Sequence, residues 1–115
     1  MKKELREKIW LKYNKHCAYC GKELEYKEMQ VDHIFPKRLH PKNVNNFDNL
    51  NPSCRRCNHY KRCYLLEEFR ELLKSLHVRV KKQYITKVAI DYGIVVLKPF
   101  DGVFHFEKEP TKETD

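Results

Sequence analysis

The stretch 17–58, CAYCGKELEYKEMQVDHIFPKRLHPKNVNNFDNLNPSCRRCN, sets two cysteine pairs, Cys17-x2-Cys20 and Cys54-x2-Cys57, on either side of an Asp32-His33 dipeptide and just ahead of Asn58. Two knuckles of this spacing offer four thiolates, enough to close a tetrahedral zinc shell. A shell filled by protein sulfur has no position left for a substrate, so Zn2+ held by Cys17, Cys20, Cys54 and Cys57 is structural. Any chemistry must come from elsewhere, and the segment between the knuckles supplies candidates. Its candidates are Asp32 and His33, set among Val31, Ile34 and Phe35, and Asn49-Leu50 shortly before the second pair.

Working outward, Leu5, Ile9 and Tyr13 fall on one stripe of a short helix from about Lys3 to Asn14, which delivers the chain to the first knuckle. After Gly21, a short strand around Leu24 to Tyr26 and a second from Met29 to Ile34 are expected, the latter ending near Pro36 and carrying Asp32 and His33. Pro36 to Asn51, rich in proline and asparagine, reads as a loop whose ends must meet. From Cys54 the pattern is helical, with Leu65, Phe69, Leu72, Leu73 and Leu76 on one face; whether the helix runs unbroken to His77 or breaks near Cys63 is open. A further helix spans roughly Val80 to Tyr92, stopped by Gly93, with Tyr84, Val88 and Tyr92 on one side. Apolar residues of these helices are expected in the core. Ile94–Leu97 and Val103–Phe106, around Asp101-Gly102, suggest a hairpin, and the charged segment 108–115 suggests a disordered tail.

One domain of 115 residues buries a small core, for which a metal staple matters. Four thiolates and one Zn2+ bring the formal charge of +8 to about +6, still basic, which favours a polyanionic partner without naming one. No apolar run reaches the roughly 20 residues of a membrane span, and MKKELREKIW lacks a secretory core, so a cytoplasmic protein without a membrane partner is expected. In a reducing compartment paired Cys-x2-Cys units favour metal over disulfides, leaving Cys63 as an unpaired thiol expected in a partly buried helix position.

Hydrolysis of a phosphodiester needs a base to activate water and a cation to neutralise the phosphate. His33 suits the base, because an unperturbed imidazole with a pKa of about 6.5 is largely neutral at physiological pH. Oxygens of Asp32 and Asn58 suit a hard cation such as Mg2+. Neighbours on an extended strand point to opposite faces, so Asp32 and His33 share one pocket only if the strand twists or ends there.

In order, Cys17-x2-Cys20, Val31-Asp32-His33-Ile34 with Pro36, Asn49-Leu50, and Cys54-Arg55-Arg56-Cys57-Asn58 with Lys61 resemble the HNH endonuclease family, whose core is the ββα-metal finger. The resemblance covers about residues 8–62, and the second knuckle is similar to small HNH proteins of bacteria and their phages. It implies that Asp32 is the first ligand of a catalytic Mg2+ or Mn2+, that His33 is the general base, and that Asn49 pins the loop and orients the base. The third motif position falls on Asn58, where most members have histidine, so the chain resembles an HNN variant with an amide oxygen as ligand. Asn58 and His59 diverge by about 100 degrees on a helix and cannot both face the ion, and the family's spacing from the second cysteine selects Asn58.

Lys61, with Arg55, Arg56 and Arg62, is expected to meet nucleic-acid phosphates, and Lys37, Arg38, His40 and Lys42 form a second basic cluster. The expected architecture is α+β: an amino-terminal helix, a zinc-stapled ββα finger, then accessory helices and a hairpin over 63–107. The expected activity is metal-dependent DNA cleavage giving 5′-phosphate and 3′-hydroxyl ends. The rivals are a zinc-stabilised nucleic-acid-binding module without catalysis and a scaffold that binds another protein. A homodimer, the substrate's sequence or structure, and nicking against double-strand cleavage stay open.

Overall fold

Residues 1–39, 42 and 44–108 are described by the computed structural model of the chain. Its elements are α1 (Lys3–Leu11), β1 (Gln30–His33), β2 (Leu50–Ser53), α2 (Arg55–Lys61), α3 (Leu66–Lys74), α4 (Leu76–Lys81), α5 (Tyr84–Asp91) and α6 (His105–Lys108), with 3-10 turns at Tyr26–Glu28 and Phe47–Asn49. They divide into two compact units, Met1–Leu66 with Phe104–Asp115, and Glu67–Val103.

The first unit is a mixed helix and sheet structure, as the α+β expectation required. Its sheet differs from the expected one. β1 falls where the alternation of Met29 to Ile34 placed it, but its partner is β2, antiparallel, in the register Gln30↔Ser53, Val31↔Pro52, Asp32↔Asn51 and His33↔Leu50. The expected strand at Leu24 to Tyr26 is reduced to one isolated bridge, His16↔Glu23, followed by the 3-10 turn. Leu50 and Asn51 thus belong to a strand rather than to the loop. Pro52 hid that strand because it cannot donate to a ladder; as an edge residue it only accepts, taking the Ala18 amide at 2.8 Å.

α1 buries Ile9 against β2, and two basic side chains on and beside it satisfy carbonyls of the turns below. Arg6 Nη2 donates to Tyr26 O and Met29 O at 2.9 and 2.7 Å, and the buried Lys12 ammonium to Phe47 O and Leu50 O at 3.1 and 2.9 Å. Charge-assisted bonds of this kind satisfy carbonyls left outside a ladder. The expected carboxy-terminal hairpin is absent: 103–104 carry no strand, and 105–108 form α6. Its Asp101-Gly102 turn signal is real, with Gly102 at φ +85°, but the chain beyond it packs on the first knuckle instead of on itself. His105 N and Phe106 N donate to Tyr19 O and Ala18 O, and the fully buried Phe104 ring meets Tyr19 edge-on at 5.3 Å.

The long helix left open in the sequence breaks at Arg62, which has φ +52°. Cys63, expected half-buried in a helix, is therefore exposed in the turn that follows. In the second unit α3, α4 and α5 follow closely. Arg70 clasps Glu67 at 2.9 and 3.0 Å and reaches Gly102 O at 2.6 Å, fastening the returning chain. Gly93 ends α5 as expected, at φ +72°. Most of the expected tail, 109–115, lies outside the described residues.

Candidate functional site

The two knuckles converge. Cys17, Cys20, Cys54 and Cys57 bring their four sulfurs within 4.8 Å of one another, and Cys20 Sγ lies 3.9 Å from Cys54 Sγ. A tetrahedron with Zn–S bonds of about 2.3 Å has edges of roughly 3.8 Å, so the donor set fits Zn2+. The first knuckle turns on Gly21 at φ +83°, whose amide donates to Cys17 O at 3.0 Å, while Cys54 caps α2 by accepting the Cys57 amide at 3.3 Å. The sulfurs compete for negative charge. Hydrogen bonds from Cys20 and then Cys57 push the Cys17 thiol far down, whereas sharing with Cys17 pushes Cys20 up to about 11 and Cys57 higher still. Only a cation lets all four ionise together.

Asp32 and His33 diverge, as strand alternation requires. Asp32 is 3% exposed; it accepts a short hydrogen bond from the Tyr19 hydroxyl, and the Lys61 ammonium sits 3.3 Å from Oδ1 and 3.2 Å from Oδ2. Asn51, fully buried, donates from Nδ2 to the same Tyr19 hydroxyl at 3.3 Å. Desolvation dominates at Asp32 and raises its pKa despite the ammonium, and burial first, then the Asp32 charge, raises that of Tyr19.

Two expectations change here. Lys61 is 0% exposed and donates to Asp32 and to His33 O, so it cannot be the phosphate contact that its place on α2 suggested. Its four-carbon stem reaches back across α2 to the strand, where a buried carboxylate and a carbonyl offer more than solvent. Asp32, expected to face a hard cation, faces an ammonium. A divalent ion on this carboxylate has to exchange with Lys61, so the Asp32 side of the expected ligand pair is closed in this arrangement.

Asn58 fits a cation better. It is half-buried on α2 and, among the described residues, spends only Nδ2, on Gln30 Oε1 at 3.4 Å, leaving Oδ1 to accept or ligate. Gln30 and Asp32 alternate onto one face of β1, and α2 packs there through Asn58 and Lys61, three residues apart. His33 is half-buried at the last position of β1, with Nε2 3.0 Å from Asn45 Oδ1. A neutral ring protonated on Nε2 donates to this oxygen and presents Nδ1 as its acceptor.

Asn49 ties the loop to the strand just beyond His33. Its Oδ1 accepts the Phe35 amide at 2.7 Å, and Nδ2 donates to Phe35 O at 3.2 Å and Val44 O at 2.8 Å. The backbone adds Ile34 N to Asn49 O at 2.9 Å. The loop's two ends therefore meet, through a single amide.

Arg55, Arg56 and Arg62 are exposed, as are Lys37, Arg38 and Lys42; His40 lies outside the described residues. Arg38 donates to Cys63 O at 3.3 Å. Arg55 and Arg56 line a groove of about 760 Å3 together with Lys22, Lys27, Gln30 and His59, and Glu23 and Glu28 also contribute to its wall. Among the described residues no helix is long and apolar enough to cross a membrane.

Residues 17–62 match the model of the HNH endonuclease family. The match takes in both knuckles, β1, β2 and α2. The HNH segment is 49% identical, over 47 residues, to the Septu protein PtuB of Bacillus thuringiensis, covering 39% of this chain and 18% of that protein. The fold is similar to part of the type II-C Cas9 enzyme of Actinomyces naeslundii, with a TM-score of 0.53 and 22% identity, over 78% of this chain and 12% of that one. The chain thus spans less than a fifth of each of these relatives.

Tyr19, Gln30, Asn45 and Asn51 lie outside the residues that the HNH motif singles out. Only Tyr19 carried a signal, as an aromatic residue inside a knuckle with a hydroxyl that needs a partner when buried. Gln30 and Asn51 depend on how β1 pairs and packs, which Pro52 conceals, and Asn45 on how the loop folds back to His33.

Proposed function

We propose that the chain is a DNA endonuclease that hydrolyses phosphodiester bonds with His33 as general base. The observation that carries this reading is the Asn49 clasp: three side-chain hydrogen bonds hold the loop at Phe35 and Val44, two residues beyond a half-buried imidazole whose Nε2 is fixed by Asn45. A base held in this way keeps its orientation without reorganising during reaction. In the neutral ring, Nδ1 takes the proton of the attacking water, and Nε2–H stays on Asn45. A divalent cation, Mg2+ or Mn2+, on Asp32 and Asn58 would neutralise charge on the scissile phosphate. Lys61 would have to release Asp32 for it. Arg55 and Arg56, in the groove with Lys22 and Lys27, are placed for backbone phosphates, which position DNA without reading its sequence.

Supercoiled plasmid incubated with Mg2+ or Mn2+ tests this. Wild-type chain is expected to nick or linearise it, and His33→Ala to abolish cleavage while zinc content and circular dichroism stay unchanged. The closed Asp32–Lys61 pair favours one second reading, a zinc-stabilised DNA-binding module that does no chemistry. Salt-dependent DNA binding without cleavage in any divalent metal would establish that reading instead.

A further inference from the structure

The second unit carries an apolar face that its own helices leave uncovered. In α5, Tyr84, Ile85 and Val88 fall on one side, continued by Tyr92 just past the last turn, at the spacing that ordinarily marks a core-facing stripe. Here the stripe points outward: Tyr84 is 82% exposed, Ile85 77% and Tyr92 79%. The helix then ends in a Schellman motif. Gly93 N donates to Ile90 O at 3.0 Å and Ile94 N to Ala89 O at 2.9 Å, which sets Ile94 beside the final turn. Ile94 and Val96 extend the face at 76% and 78% exposure. Contiguous apolar surface of this kind on a water-exposed helix marks an interaction site.

We propose that this face docks a protein partner that presents an apolar ridge flanked by acidic side chains. Charge selects the partner. Between residues 77 and 98, Arg79, Lys81, Lys82, Lys87 and Lys98 are exposed, with Arg79 donating to Ser75 Oγ at 3.4 Å, and Asp91 is the one acidic residue. A second copy of the chain would set this basic rim against itself in a symmetric contact, which repels. Nucleic acid suits the rim but not the centre, because Ile85, Val88, Ile94 and Val96 neither stack on bases nor bond phosphate. An apolar face on a segment that carries five lysines and arginines against one carboxylate suits a protein surface with an apolar ridge and acidic flanks.

The probe is a fluorescent synthetic amphipathic helix of roughly 18 residues, long enough to hold helical structure, with a leucine stripe flanked by glutamates. The control keeps the stripe and replaces glutamate with lysine. Anisotropy titration of the full zinc-loaded chain is expected to show binding of the glutamate peptide that weakens with salt, and roughly tenfold weaker binding of the lysine peptide. Ile85→Ser with Ile94→Ser, at sites too exposed to govern folding, should lower glutamate-peptide affinity about tenfold or more. Lys81→Glu with Lys87→Glu should lower it and strengthen the lysine peptide. Unchanged unfolding midpoints and zinc content show that these variants are folded. Equal binding of the two peptides, or indifference to the serine substitutions, overturns the proposal. So does a dimer in sedimentation that the serine variant dissolves, which would give the face to a second copy, or loss of DNA affinity in that variant at unchanged peptide affinity, which would give it to nucleic acid.

Discussion

The Lys61 ammonium and the Asp32 carboxylate form a buried ion pair 3.2 Å apart, with side chains 0% and 3% exposed, bridging α2 to β1 inside the segment that matches the HNH family. Removing one partner of such a pair strands a charge away from water, at a cost of about 3–5 kcal/mol. Lys61→Met is therefore expected to destabilise the domain strongly, and Asp32→Asn likewise. The double variant should lose clearly less than the sum of the two, because neither charge is then unpaired. Urea unfolding of the four proteins as a double-mutant cycle measures the coupling. Additive losses would mean that the pair contributes nothing jointly.

The same carboxylate gives an unusual pH dependence. Burial raises the Asp32 pKa above its ordinary 3.8, so between that value and the raised one the folded state binds more protons than the unfolded state. Stability contributed by this group therefore falls as pH rises through that window, and the loss is complete above the folded pKa. Most native aspartates behave oppositely. The difference in unfolding free energy between wild type and Asp32→Asn, followed from pH 3.8 upward, should change in this direction.

Asn49 is expected to tolerate neither alanine nor aspartate. Alanine removes three hydrogen bonds and leaves the Phe35 and Val44 groups to find other partners, a loss of about 1–3 kcal/mol. Aspartate keeps the acceptor for Phe35 N but turns a carboxylate oxygen toward Phe35 O and Val44 O, so it should rescue little. Both variants are expected to keep zinc and to lose plasmid cleavage more than fold. Cleavage at the wild-type rate by Asn49→Ala would separate the clasp from the chemistry.

Much of this site was legible because its chemistry is local. Cysteines two apart, Asp32 next to His33, and Asn58 directly after Cys57 need no knowledge of the fold, and the structure gathers the four sulfurs as their spacing demanded. Asn49 is singled out by the family resemblance alone, and the groups its amide bonds lie 5 and 14 residues away. What could not be read depends on pairing across distance. Lys61 reads as an exposed helix cation until α2 is laid on β1, and its contact with Asp32 spans 29 residues. Pro52 hides β2, and the hairpin expected after residue 93 rests on two apolar runs around Asp101-Gly102 in a segment that forms no strand. Tyr84, Val88 and Tyr92 have the periodicity of a core stripe, and periodicity reports a common face without saying what covers it.

Zinc is expected to hold the first unit together. Chelation should lower the unfolding temperature sharply and release one Zn2+ per chain, and Cys57→Ser should reproduce the loss. Because the lone sulfur cluster concentrates its charge on Cys17 and keeps Cys20 and Cys57 protonated, metal binding must expel protons. Apparent affinity should fall as pH falls. Competition against a chromophoric chelator at two pH values checks it, and pH-independent affinity would contradict a four-thiolate site.

Gly21 should resist substitution for two separable reasons. Its φ of +83° is costly for any residue with a side chain, by about 1–2 kcal/mol, and a Cβ there would stand 2.9 Å from His105 Nδ1, where α6 closes over the knuckle. Gly21→Ala is therefore expected to destabilise by more than the backbone cost alone. Shortening the neighbour separates the two: in a His105→Ala background, Gly21→Ala should lose the steric part and keep the conformational part. Unfolding measurements on this cycle should give a positive coupling between the positions. If Gly21→Ala costs the same with and without the imidazole, the ring moves aside freely, and the glycine is required by its backbone conformation alone.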